Sequence, residues 1–479
     1  MRGMPVSDRY RPDPRHPALG DRFYDPVPAA RFPRHTLRFR NDRAAARIGL
    51  DTLTDEEWVA HFGRFEPLPA NIPEPLALRY HGHQFQVYNP DLGDGRGFLF
   101  AQVRENGAPD GRLLDLGTKG SGQTPWSRSG DGRLTLKGGV RELLATEMLE
   151  ALGVNTSQTF SLIETGEELW RNDEPSPTRS CVMVRLNHSH IRIGSFQRQA
   201  YLGDTDALAA LLDHAAALHM PEVAAIDDRL ERAAAFVEAV GRNTARTGAQ
   251  WMAAGFVHGV LNTDNILVTG QSFDYGPWRF MPVHDPGFTA AYFDQTGLYA
   301  YGRQPDTLMW NLTRLAESLL GLSNKDRLTE ALRTFPDAFQ TEMAEAVTRR
   351  LGILRGPAEE DEALISALFT AIGQAQIPFE RPFFDWYGGA LSQGRAQASP
   401  HAKVYDGDAF APARESLIAR PPRPEVDLSH PYFTGREPQT MLIDEVEALW
   451  APIDVADDWA PLLAKVEKVR EMGAALGNG

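Results

Sequence analysis

The chain has 479 residues, 42% hydrophobic and 24% charged, which is ordinary globular composition and too long for one ordinary domain. Acidic residues outnumber basic ones by 64 to 49, a formal net charge of −15, so a nucleic-acid backbone is not the expected partner, although a local basic pocket for a nucleotide is compatible with that balance. The single cysteine, Cys181, excludes an intrachain disulfide, no run of about 18 apolar residues marks a membrane span, and the N-terminus lacks the apolar core of a secretory signal, so the expectation is a cytoplasmic enzyme with no membrane partner.

In chain order, residues up to about 75 are rich in Pro, Arg and Asp and predict an extended arm with one short helix at 54–62. Strand-like segments with glycine turns follow, clearest at 97–103 and 112–116. Val140, Leu143, Leu144 and Met148 recur at helical spacing, with Gly153 as a stop. Further strands are predicted at 159–163 and 180–186, the second holding Cys181 as a buried strand residue. After about residue 204 the pattern is helical: Leu208, Leu211, Leu212, Ala215 and Leu218 form one stripe, and a long helix runs from about Leu230 to near Gly255. Later helices are predicted at 306–320, 337–351, 360–374 and 459–476, with Pro421-Pro422-Arg423-Pro424 as a linker or turn.

A β-rich part with one inserted helix, followed by an α-rich part, is the order of an α+β, bilobal protein-kinase-like fold with a nucleotide in the cleft between lobes. The expected divisions are an N-terminal extension over 1–75, a nucleotide-binding lobe over 76–203, a helical lobe over 204–400 and a divergent C-terminal extension over 401–479.

The stretch from His258 to Gly276 carries the most chemistry. A kinase catalytic loop follows H-R-D-L-x-x-x-N, with the Asp as base and the Asn on magnesium. His258 and Asn265 keep that spacing, but Val260 stands at the base position and a carboxylate appears instead at Asp264. Downstream, Phe273-Asp274-Tyr275-Gly276 resembles the D-F-G metal loop. Carboxylate and amide oxygens suit Mg2+ or Mn2+, and Asp264 could take a proton from an attacking hydroxyl. An Asn-Thr-Asp-Asn run is also an ordinary turn or helix cap.

Several upstream residues could hold a polyphosphate. Gly93-Asp94-Gly95-Arg96-Gly97 offers backbone N–H groups and one fixed cation, or is a plain hairpin turn. Lys119 follows a strand and could reach phosphates, with Glu142 on the next helix as its partner. Asp131 and Gly132 lie in a second glycine turn, where Asp131 could accept hydrogen bonds from a base or sugar. Arg185 and Arg192 could clamp phosphate by bidentate contacts. Between them, His188 and His190 more often serve hydrogen bonds than a metal.

GHQF (82–85), LGDGRG (92–97), TKGSGQTPWSRSGDGR (118–133), VRELLATEMLEALGV (140–154), HGVLNTDNI (258–266), FDYGPW (273–278) and AYGRQP (300–305) occur in one order over about residues 76–320. With these stretches the chain resembles the selenoprotein O family of pseudokinases. The resemblance implies a kinase-like fold with ATP in a flipped orientation. It implies transfer of AMP, and in some members UMP from UTP with manganese, to Ser, Thr or Tyr hydroxyls of proteins. It implies nucleotide contacts from Gly93, Gly95, Arg96, Lys119, Asp131, Gly132, Arg185, Arg192 and Asp274. Asp264 would be the proton acceptor, Asn265 and Asp274 the metal ligands, and Glu142 the partner of Lys119. Gln86 stands where a glycine is expected, Thr118 replaces a commoner Leu, and the C-terminal region departs from the family, with no Cys near its end. Two other readings stay open: a phosphotransferase with Asp264 as a displaced base, and a non-catalytic nucleotide-binding scaffold.

Overall fold

The computed structural model describes residues 6–172 and 174–478. Its strands are β1 (Tyr24–Pro26), β2 (Thr36–Arg40), β3 (Leu76–Leu78), β4 (Gly82–Gln84), β5 (Val87–Asn89), β6 (Leu99–Arg104), β7 (Leu113–Lys119), β8 (Leu134–Thr135), β9 (Gln158–Leu169), β10 (Thr178–Asn187), β11 (Phe256–Val257) and β12 (Arg279–Phe280). Among the described residues, eight strands form one antiparallel sheet ordered β1-β3-β6-β7-β10-β9-β2, with β8 added alongside β10. The pairs β4–β5 and β11–β12 stand apart as small antiparallel ribbons.

The helices are α1 (Asp42–Ile48), α2 (Asp55–Phe62), α3 (Leu136–Ala151), α4 (Ile193–Tyr201), α5 (Thr205–His219), α6 (Pro221–Ala224), α7 (Arg229–Ala253), α8 (Gln304–Ser318), α9 (Lys325–Arg333), α10 (Phe335–Arg350), α11 (Ala358–Ala375), α12 (Arg381–Asp385), α13 (Gln393–Ala398), α14 (Ala402–Asp406), α15 (Ala411–Ala419), α16 (Ile443–Ala456) and α17 (Ala460–Ala475). All but the first three follow the sheet's last strand, so the architecture is mixed α/β with an antiparallel sheet and many helices.

Helix α3 lies on the sheet. Thr135 caps it by accepting from the Gly138 N–H, and Val140, Leu143, Leu144 and Met148 are fully buried. A Cβ at Gly139 would come within 2.6 Å of Leu162 and 2.7 Å of the Cys181 sulfur, so glycine there lets the helix press onto β9 and β10. Cys181 is buried, as the strand pattern predicts. On its other side α3 receives α17, whose Leu462, Val466, Val469 and Met472 join the same core. Arg470 closes the contact by donating to both oxygens of Glu147, at 2.8 and 2.7 Å.

The N-terminal region corrects the expectation of an extended arm with one helix. The helix is present as α2, capped by a reciprocal Thr54–Glu57 pair, but α1 precedes it and both β1 and β2 are strands of the main sheet. β2 pairs with β9, placing Thr36 opposite Glu164. Trp58 of α2 stacks on Phe160 with ring centroids 4.7 Å apart and donates to Ser161 Oγ at 2.9 Å, so this region covers one face of the sheet. The Pro421–Pro424 segment is not a free linker: Leu354 N donates to Pro421 O at 2.9 Å, and Arg423 N donates to Gly352 O at 2.9 Å.

Candidate active site

The sheet and the helices that follow it meet over a cavity of about 680 Å³, within the roughly 300–1,000 Å³ usual for small-molecule sites. Its wall includes Gly93, Gly95, Arg96, Lys119, Asp131, Gly132, Arg185, Arg192, Asp264 and Asp274. Of the residues singled out from sequence, Glu142 and Asn265 are not on the wall; Glu142 is fully buried behind it.

One ionic cluster organises the inner wall. Lys119, at the end of β7, places Nζ 2.6 Å from Glu142 Oε2 and 2.6 Å from Asp274 Oδ1. Arg185, on the neighbouring β10, reaches the same two carboxylates, at 3.1 Å to Glu142 Oε1 and 3.2 Å to Asp274 Oδ1. The sheet register puts Arg185 beside Gly117, two residues before Lys119. Partial burial pushes the Asp274 carboxyl upward, but Lys119, Arg185 and Arg96 outweigh this and hold it well below the usual carboxylate range. Asp274 also has φ +61, a left-handed backbone that is uncommon for a non-glycine residue.

Arg192, just before α4, lies 4.1 Å above the Tyr80 ring and 5.1 Å from that of Phe273. It donates to the Asp264 backbone carbonyl at 3.1 Å and faces Asp94 Oδ1 at 3.4 Å. Asp264 itself is in a different condition from Asp274. Its side-chain Oδ1 is buried with no hydrogen-bond partner among the described residues. Burial raises its carboxyl pKa to about 6, against the lowering pull of Arg192. The two carboxylates therefore differ in kind: one is held ionised by cations, the other is poised near neutrality.

The loop around Asp264 is fixed from several sides. His258 pairs with the Phe273 carbonyl at 3.0 Å through Nε2, tying the two motif halves together. Asn265 Nδ2 donates to Val260 O at 2.9 Å, which orients the amide oxygen away from that carbonyl. Thr263 Oγ1 accepts from His83 N at 2.7 Å, and Asn262 Oδ1 accepts from Phe85 N at 3.1 Å, so the β4–β5 ribbon is bonded to this loop.

The glycine turn has a packing reason of its own. A Cβ at Gly93 would collide with the Trp126 indole, and one at Gly95 would come within 2.9 Å of the Trp126 carbonyl. The indole is pinned by its Nε1–H, which donates to Asp25 Oδ2 at 2.9 Å. Asp131 is engaged on the rim by Arg171, at 2.8 and 3.1 Å. His190 bonds Asp115 at 3.1 Å through Nδ1, and no group of three or more His, Cys, Asp or Glu residues among those described is arranged to hold a metal. Wall residues that escaped the sequence reading include Tyr80, Asp94, Trp126 and Arg171. Asp94 was within reach, being the one acidic residue of the glycine turn; the partners of the others lie too far along the chain.

Asn265 and Asp274 carry oxygens of the kind that suit a hard cation, and Asp264 Oδ1 is a further buried acceptor without a partner among the described residues.

A cation-rich wall, two carboxylates in unlike states and a cavity of small-ligand size suit a mixed α/β enzyme that takes a polyanionic small molecule. A family model described as "Protein adenylyltransferase SelO" matches residues 9–470, and the chain belongs to that family. Among its relatives, a protein named nucleotidyltransferase YdiU from Synechococcus elongatus is 43% identical, with 99% of each chain covered. Proteins of the same name from Synechocystis sp. and Gloeobacter violaceus are 42% and 44% identical, over 96% of this chain and 97% and 95% of theirs. The protein is a nucleotidyltransferase of the kind that modifies proteins.

Proposed function

We propose that the protein moves AMP from ATP to Ser, Thr or Tyr hydroxyls of other proteins and releases pyrophosphate, using a bilobal protein-kinase-like fold with ATP bound in a flipped orientation. The observation that carries this reading is the contrast between Asp274, held ionised by Lys119 and Arg185, and Asp264, buried without a partner at a pKa of about 6. A base needs a pKa near the working pH and a free oxygen; Asp264 has both, and the usual kinase base position is Val260.

In this reading the acceptor oxygen attacks the α-phosphorus. The new O–Pα bond forms, the Pα–O–Pβ bond breaks, pyrophosphate leaves with the bonding pair, and the hydroxyl proton passes to Asp264. Lys119, Arg185 and Arg192 receive the departing charge in a site that costs them no reorganisation. Gly93, Gly95, Arg96, Asp131 and Gly132 border the remaining nucleotide. Asn265 and Asp274 would hold Mg2+ or Mn2+; such an ion supplies positive charge to phosphate oxygens. The division into an extension (1–75), a nucleotide lobe (76–203), a helical lobe (204–400) and a C-terminal extension (401–479) belongs to the same proposal.

The deciding experiment uses ATP labelled at the α- or the γ-phosphate. Label from the α position in protein, with none from γ, is expected. Transfer of γ label would instead make the protein a phosphotransferase, and binding without transfer would make it a scaffold. Parallel α-labelled UTP shows whether UMP is moved as well.

A further inference from the structure

Beside the loop that carries Asp264 stands an apolar surface whose side chains do not line the cavity. The β4–β5 ribbon turns through Phe85 and Gln86, both with positive φ, +49 and +64. Such two-residue turns favour Asn and Gly, because other side chains are strained there. The strain holds Phe85 at the tip. Phe85 is 37% exposed, its neighbour Val87 69%. Across from them, on the segment between β12 and α8, Tyr292 is 79% exposed and Phe293 46%. The rings touch: Phe85 lies 5.8 Å from Phe293, and Phe293 lies 5.2 Å from Tyr292.

This surface is joined to the proposed base by short bonds. Phe85 N donates to Asn262 Oδ1 at 3.1 Å, and Tyr299 OH donates to the same oxygen at 2.7 Å. Asn262 is two residues before Asp264. Gly82, which opens the ribbon, lies so close that an added Cβ would stand 3.1 Å from Asp264 Oδ1. The surface is also continuous with the cavity, because Tyr80 and Gln84 of the same stretch line its wall. A contiguous exposed apolar patch on a soluble chain marks a contact surface, and a protein nucleotidyltransferase must seat a polypeptide next to the group that receives its proton.

We propose that Phe85, Val87, Tyr292 and Phe293 form the acceptor subsite: they bind an apolar side chain flanking the modified hydroxyl of the protein substrate. The occupant is a segment of another protein in extended form, whose hydroxyl then lies at Asp264. This rests on the reading of Asp264 as proton acceptor.

The test uses synthetic peptides with one serine, in which Phe or Asp is scanned through the three positions on either side, and ATP labelled at the α-phosphate. The wild-type protein is expected to label the best Phe peptide at least tenfold faster than its Asp counterpart. The double variant Tyr292→Asp/Phe293→Asp, whose changes are at exposed positions, should raise the peptide KM about tenfold and leave the ATP KM unmoved. Phe293→Leu alone, which keeps an apolar side chain, should keep the preference. The proposal is overturned if Phe is no better than Asp at every position, if no peptide is labelled, or if the double variant keeps the wild-type preference. An equal change in both KM values would also sink it, since that is the mark of a structural role. Failure of the proton-acceptor reading shows separately, as an Asp264→Asn protein that still labels peptide at the wild-type rate.

Discussion

Lys119 and Asp274 form an ion pair of 2.6 Å in which the lysine is also held at 2.6 Å by Glu142. One ammonium thus joins a strand, the helix α3 and the loop after Phe273. Removing either partner of a buried pair costs about 3–5 kcal/mol, because it leaves the other charge uncompensated. Arg185 contacts both carboxylates and softens that cost. Lys119→Met is therefore expected to lower stability by about 2–3 kcal/mol and to reduce nucleotide transfer at least a hundredfold. Thermal unfolding and α-label incorporation measure the two effects; full activity would remove Lys119 from the site.

Asp264→Asn separates chemistry from folding. Loss of a general base is worth about 10²–10⁴ in rate. Stability should move the other way. Burial raises the folded carboxyl from 3.8 to about 6, so the fold disfavours the ionised form, and the wild type loses stability as pH rises through that interval. The amide carries no such burden. In metal-free buffer the variant should be more stable than wild type at pH 8, by up to about 3 kcal/mol at 1.4 kcal/mol per unit, with the gap closing near pH 4. Urea unfolding across this range measures it, and a constant difference at all pH values would contradict the assignment.

Acid should weaken the fold through buried histidines grouped around Asp115. Burial holds His16 and His188 at about 4 and His219 at about 3, all below the ordinary 6.5. Asp115 pulls each of them upward without overcoming burial. A depressed pKa means that the folded state prefers the neutral ring. The stability is complete above pH 6.5 and is lost as pH falls toward 4, because the unfolded chain takes up protons first. For His16 alone this amounts to about 3 kcal/mol. His16→Gln should flatten the slope of stability against pH in that window; an unchanged slope would assign the protons elsewhere.

Gly93→Ala tests what the glycine turn is for. Its methyl would meet the Trp126 indole, which Asp25 holds in place, at a cost of about 1–3 kcal/mol for overpacking. If packing is the reason for glycine, Trp126→Leu should relieve most of that loss in a double-mutant cycle. If stability stays unrelieved and nucleotide affinity alone falls, approach to phosphate is the reason.

Much of this was legible in the chain. The Val140-Leu143-Leu144-Met148 stripe marks α3 because its period is local, and the His258–Gly276 motifs mark the two carboxylates because their spacing is short. β1 and β2 were not legible. They are short, and their pairing depends on partners such as Leu78 and Glu164, far along the chain. The same holds for Asp94 with Arg192 and for Asp131 with Arg171. Nothing in an isolated aspartate tells which arginine will reach it. Trp126 was missed for a related reason: a tryptophan in a polar turn has no periodicity to announce that two glycines will pack beneath it.

The bond between Arg470 and Glu147 spans 323 residues, and with α17 it braces the helix that carries Glu142. A ribosome delivers α3 long before it delivers α17, so during synthesis the sheet and its lysine exist before the brace that steadies their glutamate. The order of manufacture thus places the brace last: the helix that carries Glu142 gains this support only once the C-terminal helix has been made.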